Sequence, residues 1–111
     1  MTNPQKNKGD RAEREIATLL ADLTGYPVRR KLGAGRADDT GDLDGIPNTT
    51  AQVKDYKNVT VAIRTAIDDL ETQRANAGTD FAVAFIRRPG GRWIAVSTVE
   101  HWATLHREAT S

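Results

Sequence analysis

The apolar positions change period along the chain, and the changes divide it into elements. Ala12, Ile16, Leu19, Leu20 and Leu23 follow helical spacing, which predicts a helix from about residue 10 to 23, stopped at Thr24-Gly25. "YPVRRKL" (26–32) has the length and alternation of a short strand, and "GAGRADDTG" (33–41) is a glycine-rich polar loop. Leu43 and Ile46 fit a second short strand or extended turn closed by Pro47-Asn48, and "TAQVKDY" (50–56) fits a third strand. Thr60 is placed to cap a second helix whose stripe is Ile63, Ala66, Ile67, Leu70 and Ala77, with Gly78 at its end. "FAVAFIRR" (81–88) is almost continuously apolar, as a strand buried on both faces should be. Pro89-Gly90-Gly91 turns the chain into "RWIAV" (92–96), its hairpin partner. Ser97 with Glu100 forms a capping-box pattern that opens a last helix over 97–106. The order is α-β-β-β-α-β-β-α, an α/β arrangement with helices on the faces of one mixed β-sheet. The polar residues 1–8 read as a flexible N-terminal tail, and 9–111 as a single domain.

Composition narrows the class. A chain of 111 residues, 38% hydrophobic and 28% charged, suits one soluble domain with a modest core. No apolar run is long enough to span a membrane, and the N-terminus lacks a signal-peptide core. Cysteine is absent, which removes disulfides, thiolate metal sites and cysteine nucleophiles together and makes a cytoplasmic home the simplest expectation. The net charge is only +1, but it is unevenly spread. Residues 1–36 hold eight Lys/Arg and four Asp/Glu, residues 37–80 four and nine, and residues 81–111 four and two. An acidic middle between basic ends suits carboxylates that hold a cation beside basic surface that holds phosphates, and it is equally compatible with scatter.

One stretch carries the candidate chemistry. In "GDLDGIPNTTAQVK" (41–54) an acidic turn precedes a strand on which Gln52 and Lys54 share a face while Val53 points the other way. Hard divalent cations such as Mg²⁺ take oxygen ligands. Asp42 offers a carboxylate, Gln52 an amide oxygen and Val53 its carbonyl. Lys54 suits a different task, stabilising charge on a phosphate or lowering the pKa of a metal-bound water. On the residues alone, a solvated strand face explains Gln52 and Lys54 as well. Asp42 also fits a plain turn residue, as do Asp38, Asp39 and Asp44.

The text "KGDRAEREIATLLADLTGYPVRRKLGAGRADDTGDLDG" followed by "QVK" resembles the PD-(D/E)XK nuclease superfamily, most closely the Holliday-junction resolvases of archaea and phages. Their pattern is a Lys-Gly before a helix with an early Glu, then Gly-Tyr, a basic strand, a glycine-rich loop, an Asp and a Glu-x-Lys. The resemblance covers residues 8–96 or so. It implies a restriction-endonuclease-like core and Mg²⁺-dependent cleavage of DNA phosphodiesters, with Mn²⁺ as a substitute. It further implies a branched substrate such as a four-way junction and a homodimer, and it is compatible with a phage protein acting in a host cytoplasm.

Residue by residue, the resemblance gives Glu13 a metal contact, direct or through water, makes Asp42 the central metal ligand and Lys54 the catalytic lysine. Periodicity does not choose between Glu13 and Glu15; only the resemblance does. Gln52 stands where most relatives have Glu, which removes one negative charge from the metal site. Gly33-Ala34-Gly35 lacks a serine that some resolvases carry in that loop. Arg29, Arg30, Lys31 and Arg36 are the candidates for phosphate contacts, and Gln73, at the margin of its helix's stripe, for a supporting contact behind the site. His101 and His106 read as surface residues, and Trp93 and Trp102 as core or interface anchors. A restriction- or repair-type duplex endonuclease, a catalytically inactive DNA-binding module, and a phage structural or assembly protein in which the spacing of acids and lysine is coincidental are the alternatives.

Overall fold

A computed structural model describes residues 4–31 and 40–110. It is an α/β domain with a mixed five-stranded sheet and three helices: α1 (Pro4–Thr24), β1 (Arg29–Arg30), β2 (Leu43–Asp44), β3 (Thr49–Lys54), α2 (Val59–Ala77), β4 (Phe81–Arg88), β5 (Arg92–Val96) and α3 (Val99–Ala109). The strands lie in the order β1-β2-β3-β4-β5. Only β3 and β4 run parallel, in register from Thr49 opposite Phe81 to Lys54 opposite Ile86, because α2 crosses between them. The remaining neighbours are antiparallel. Among the described residues no helix is long and apolar enough to cross a membrane.

Strand alternation divides the core into two layers. Ala51, Val53, Val83 and Phe85 pack with Ile16, Ala17 and Leu20 beneath α1. Ala82, Ala84 and Ile86 face the other way, onto Ala62, Ala66 and Leu70 of α2. Alanine on both sides of the second interface lets the helix lie close to the sheet. Gln52 alternates with Ala51 and Val53, so it belongs to the α2 layer, where it is 4% exposed.

Several expected boundaries move. The polar segment expected to be a tail is helical from Pro4, so α1 starts well before residue 10. Polar residues hide the period without lowering helix propensity, and Pro4 suits a first turn. The cap of α2 is Asn58 rather than Thr60: Asn58 Oδ1 accepts from Val61 N–H at 3.2 Å. The cap of α3 is Thr98 rather than Ser97, with Thr98 Oγ1 accepting from His101 N–H. Gly78 ends α2 as expected. The buried row of α2 is Ala62, Ala66, Leu70 and Gln73, while Ile67 is half exposed. On α1 the layer is Ala12, Ile16 and Ala17; Leu23 faces solvent. The strand expected over 26–32 shrinks to Arg29–Arg30. Arg36, the 33–41 loop as far as residue 39, and residues 1–3 of the expected tail lie outside the described residues.

Gly45 ties β2 to the start of β1. Its φ is +100°, and a Cβ there would lie 2.2 Å from the Pro27 carbonyl oxygen. Gly45→Ala therefore combines left-handed strain with a clash against backbone that has no rotamer to yield. The expected loss is about 3 kcal/mol or more. Urea unfolding checks it as a lower midpoint at unchanged m; a shift under ~1 kcal/mol would show that the β1–β2 connection gives way freely.

Candidate metal and nucleic-acid site

Asp42 is clamped before its side chain is used. Its N–H donates to the Ala51 carbonyl at 2.7 Å, and its own carbonyl accepts from Lys31 N–H at 2.9 Å. Gly41 makes the approach possible: its φ is +96°, and a Cβ would lie 2.9 Å from the Ala51 oxygen. The carboxylate then lies against β3, where Asp42 Oδ2 accepts the Val53 N–H at 2.8 Å. On an extended strand the N–H and C=O of one residue point to the same edge, so the Val53 carbonyl is directed to the β2 side that Asp42 occupies. Two of the expected oxygen donors thus share one edge of β3.

Gln52 is the second feature. Its Oε1 is buried and has no hydrogen-bond partner. A buried amide oxygen left without a donor is costly, and a cation is one group that would satisfy it. Among the described residues no group of three or more His, Cys, Asp or Glu is arranged to hold a metal. The expected ligand set draws only Asp42, and Glu13 beyond it, from those residue types. Its amide and backbone oxygens are of another kind, so the donors fit a hard cation in chemistry.

Glu13 reaches the same neighbourhood from α1. Burial pushes its carboxyl above the ordinary glutamate range, and the nearby negative charge of Asp42 pushes further; hydrogen bonding and charge from Arg30 oppose both. Arg30 Nε–H donates to Glu13 Oε1 at 3.2 Å and Nη2–H to Asp10 Oδ1 at 2.9 Å. Arg30 is therefore occupied by two carboxylates, and a direct metal contact by Glu13 requires that pairing to loosen. Lys31 is also committed: its Nζ donates to Thr40 O at 2.9 Å and Thr40 Oγ1 at 3.0 Å, and lies 3.5 Å from Asp44 Oδ1. It braces the chain on both sides of Asp42. Of the described basic residues expected to meet phosphate, Arg29 is the exposed one.

Lys54 lies on the α2 side with Gln52. Its Nζ donates to Tyr56 Oη at 3.3 Å, sits 5.3 Å from the centre of the Tyr56 ring, and is 3.9 Å from Asp69 Oδ2. Its side chain is only 11% exposed. At the far end of β3, Thr50 Oγ1 lies 2.6 Å from Thr79 Oγ1. Between these anchors α2 runs back along β3, about 12 Å of helix from Asp69 to its end at Ala77 against about 13 Å of strand. Gln73 is thereby level with Gln52 in the buried layer and not at a margin. The arrangement is two-sided: Asp42, Glu13 and Arg30 gather at the β2 side beneath α1, while Gln52, Lys54 and Gln73 lie under α2, with the β3 backbone between them.

Sequence reasoning passed over Asp10, Thr40, Tyr56 and Asp69, which hold Arg30, Lys31 and Lys54. Tyr56, two residues beyond Lys54 in the segment expected to be a strand, was legible through strand alternation. His101 was expected at the surface, yet its Nδ1 is buried without a partner. It lines a groove of about 440 Å³ with Leu20, Tyr26, Phe85, Trp102 and Leu105. His106 is exposed as expected and stacks on Trp102, with ring centres 5.2 Å apart. No protein-family model, curated protein or solved structure matches this chain.

Proposed function

We propose that the protein is a metal-dependent DNA endonuclease of the PD-(D/E)XK kind, with a restriction-endonuclease-like core and branched DNA as its substrate. The observation that carries the reading is the Asp42 carboxylate docked on the Val53 N–H, next along β3 to the buried, partnerless Gln52 Oε1. The backbone bonds of Asp42 continue the sheet pairing; the carboxylate's bond to the Val53 N–H goes beyond that pairing, and a solvated strand face would not bury Gln52.

In this reading Asp42 and the Val53 carbonyl would hold Mg²⁺, or Mn²⁺ in its place, at the β2 edge of β3, and the Gln52 amide, which lies on the α2 face, would join them once its side chain turns to that edge. When bound, the ion supplies a more acidic water and offsets charge on the scissile phosphate. Lys54, held by Tyr56 and Asp69, orients the attacking water and stabilises charge on the phosphate. Glu13 adds a carboxylate from α1 and keeps Arg30 beside it. Gln73 supports the layer behind Gln52. Incubation with a labelled four-way junction and a matched duplex, in Mg²⁺, Mn²⁺ or EDTA, tests the function. Metal-dependent nicking of the junction over the duplex is expected. Cleavage of both alike would favour the duplex endonuclease, and binding without cleavage the inactive module.

Symmetric cutting of a junction needs two active sites, so the same proposal includes a twofold dimer. α3 buries none of its residues, and Trp102 is 60% and Leu105 53% exposed beside the apolar groove. β5 is an edge strand of the sheet, and its Ala95 lines the same groove. Apolar surface next to an open sheet edge suits a self-complementary interface. Light scattering at micromolar concentration should give twice the chain mass, and Trp102→Glu should return it to one. A wild-type monomer with and without junction DNA would remove the dimer and the resolvase form of the reading.

A further inference from the structure

Glu13 and Glu15 are two residues apart, so they stand roughly 200° apart around α1. Glu13 serves the Asp42 side. Glu15 faces the opposite flank, where Arg87 Nε–H donates to Glu15 Oε2 at 2.8 Å and Trp93 Nε1–H donates to the same oxygen at 2.7 Å. Arg11, one turn earlier on that flank, and Asp55, next after β3, complete a cleft of about 350 Å³. The cleft opens at the carboxyl ends of the parallel strands β3 and β4, the end at which α/β sheets place ligands.

The donor and acceptor balance indicates what it takes. Glu15 Oε2 is already shared by two donors. Arg87 has five N–H donors, of which Nε–H meets Glu15. Its Nη2 lies beside Gly91, where even a Cβ would come within 3.3 Å. Both partners of the ion pair are substantially exposed to solvent, and pairs of that kind hold weakly against a ligand that offers a bidentate contact. If Arg87 leaves, Glu15 keeps the Trp93 N–H, so no group is stranded.

We propose that this cleft is a second phosphodiester subsite, in which Arg87 exchanges Glu15 for a backbone phosphate and Arg11 contacts the same strand. The proposal rests on the nuclease reading and adds a binding surface on the far flank of α1. Glu15 is then an internal competitor for the phosphate, and the Asp55 charge, which also acts on Arg87, lowers the affinity of the subsite further.

Fluorescence anisotropy with a labelled 12-nucleotide single strand and a four-way junction, in EDTA between 50 and 200 mM salt, tests it. Arg87→Gln and Arg11→Gln should each weaken binding and lower the salt slope by about one. Glu15→Gln should bind more tightly than wild type, and more tightly than Asp22→Asn, which removes an exposed carboxylate elsewhere on α1; a merely structural brace would give the two variants the same small gain. Circular dichroism confirms that each variant is folded. Should Arg87→Gln not fold, Glu15→Gln and Arg11→Gln still decide. A wild-type slope in Arg11→Gln, or a Glu15→Gln variant no tighter than Asp22→Asn, overturns the subsite alone. A wild type that binds neither DNA removes the nuclease reading and the subsite with it. In a parallel titration followed by the Arg87 Nε–H resonance, the oligonucleotide should shift the signal at micromolar concentration. A shift with inorganic phosphate alone, and none with the oligonucleotide, would make the cleft a free-phosphate pocket and overturn the assignment.

Discussion

Asp42→Asn and Lys54→Met should each reduce Mg²⁺-dependent nicking of a four-way junction by about 10³-fold or more while leaving the fold intact. The substitutions follow from the contacts. Asparagine keeps an oxygen that can accept the Val53 N–H, the bond that Asp42 Oδ2 makes at 2.8 Å, so it removes charge without releasing β2 from β3. Methionine keeps the apolar stem of a side chain that is only 11% exposed and removes the ammonium near Tyr56 and Asp69. Loss of either group should be severe rather than graded, because metal ligand and lysine act on one transition state. Single-turnover cleavage measures the loss, and thermal unfolding confirms the fold. Wild-type cleavage in EDTA, or full activity in the folded Lys54→Met protein, would defeat the mechanism.

The second large effect concerns Gln52, where a single atom separates two chemistries. Its amide oxygen binds a cation through a dipole, whereas glutamate would bring a full charge. Gln52→Glu should therefore remain active and reach half-maximal rate at lower Mg²⁺ than wild type. Gln52→Ala, with no side-chain oxygen, should need more metal or fail outright. The burial of Oε1 without a partner adds a stability signature that activity alone cannot supply. A carboxylate in that place is penalised by desolvation, which raises its pKa. The variant then loses stability as pH rises above the ordinary glutamate range, because the unfolded chain releases that proton first. The loss at neutral pH should be about 2 kcal/mol in EDTA, and Mg²⁺ should recover it. Thermal unfolding with and without Mg²⁺ should accordingly show a larger metal-induced rise in Tm for Gln52→Glu than for wild type. Three superimposed Mg²⁺ curves, with no metal-dependent rise, would take Gln52 out of any metal site.

The sequence by itself determined the elements whose signals are local. β4 and β5 have the bounds that their apolar runs mark, Phe81–Arg88 and Arg92–Val96, because burial on the sheet requires those side chains whatever packs above them. Gly78 ends α2 for an equally local reason, its αL backbone closing the last turn. The pairing of Gln52 and Lys54 on one face follows from strand alternation alone. The caps were less legible, since Asn58 and Thr60, or Ser97 and Thr98, are neighbours with similar chemistry, and backbone geometry selects one of each.

Only the tertiary structure decided which charged groups meet. Arg30 and Lys31 read as phosphate contacts in sequence because nothing local marks Asp10 or Thr40 as their partners; α1 and the chain entering β2 bring those groups to them across 20 and 9 residues. Glu13 and Glu15 are indistinguishable by periodicity, and they separate because α1 lies between β1–β2 on one flank and β4–β5 on the other. Gln73 moved from a margin to the buried layer because alanines at 62, 66, 82 and 84 draw α2 onto the sheet. Local sequence specifies where a backbone can turn or pleat. The partner of a long polar side chain depends on which surface the core brings within reach, and packing alone sets that.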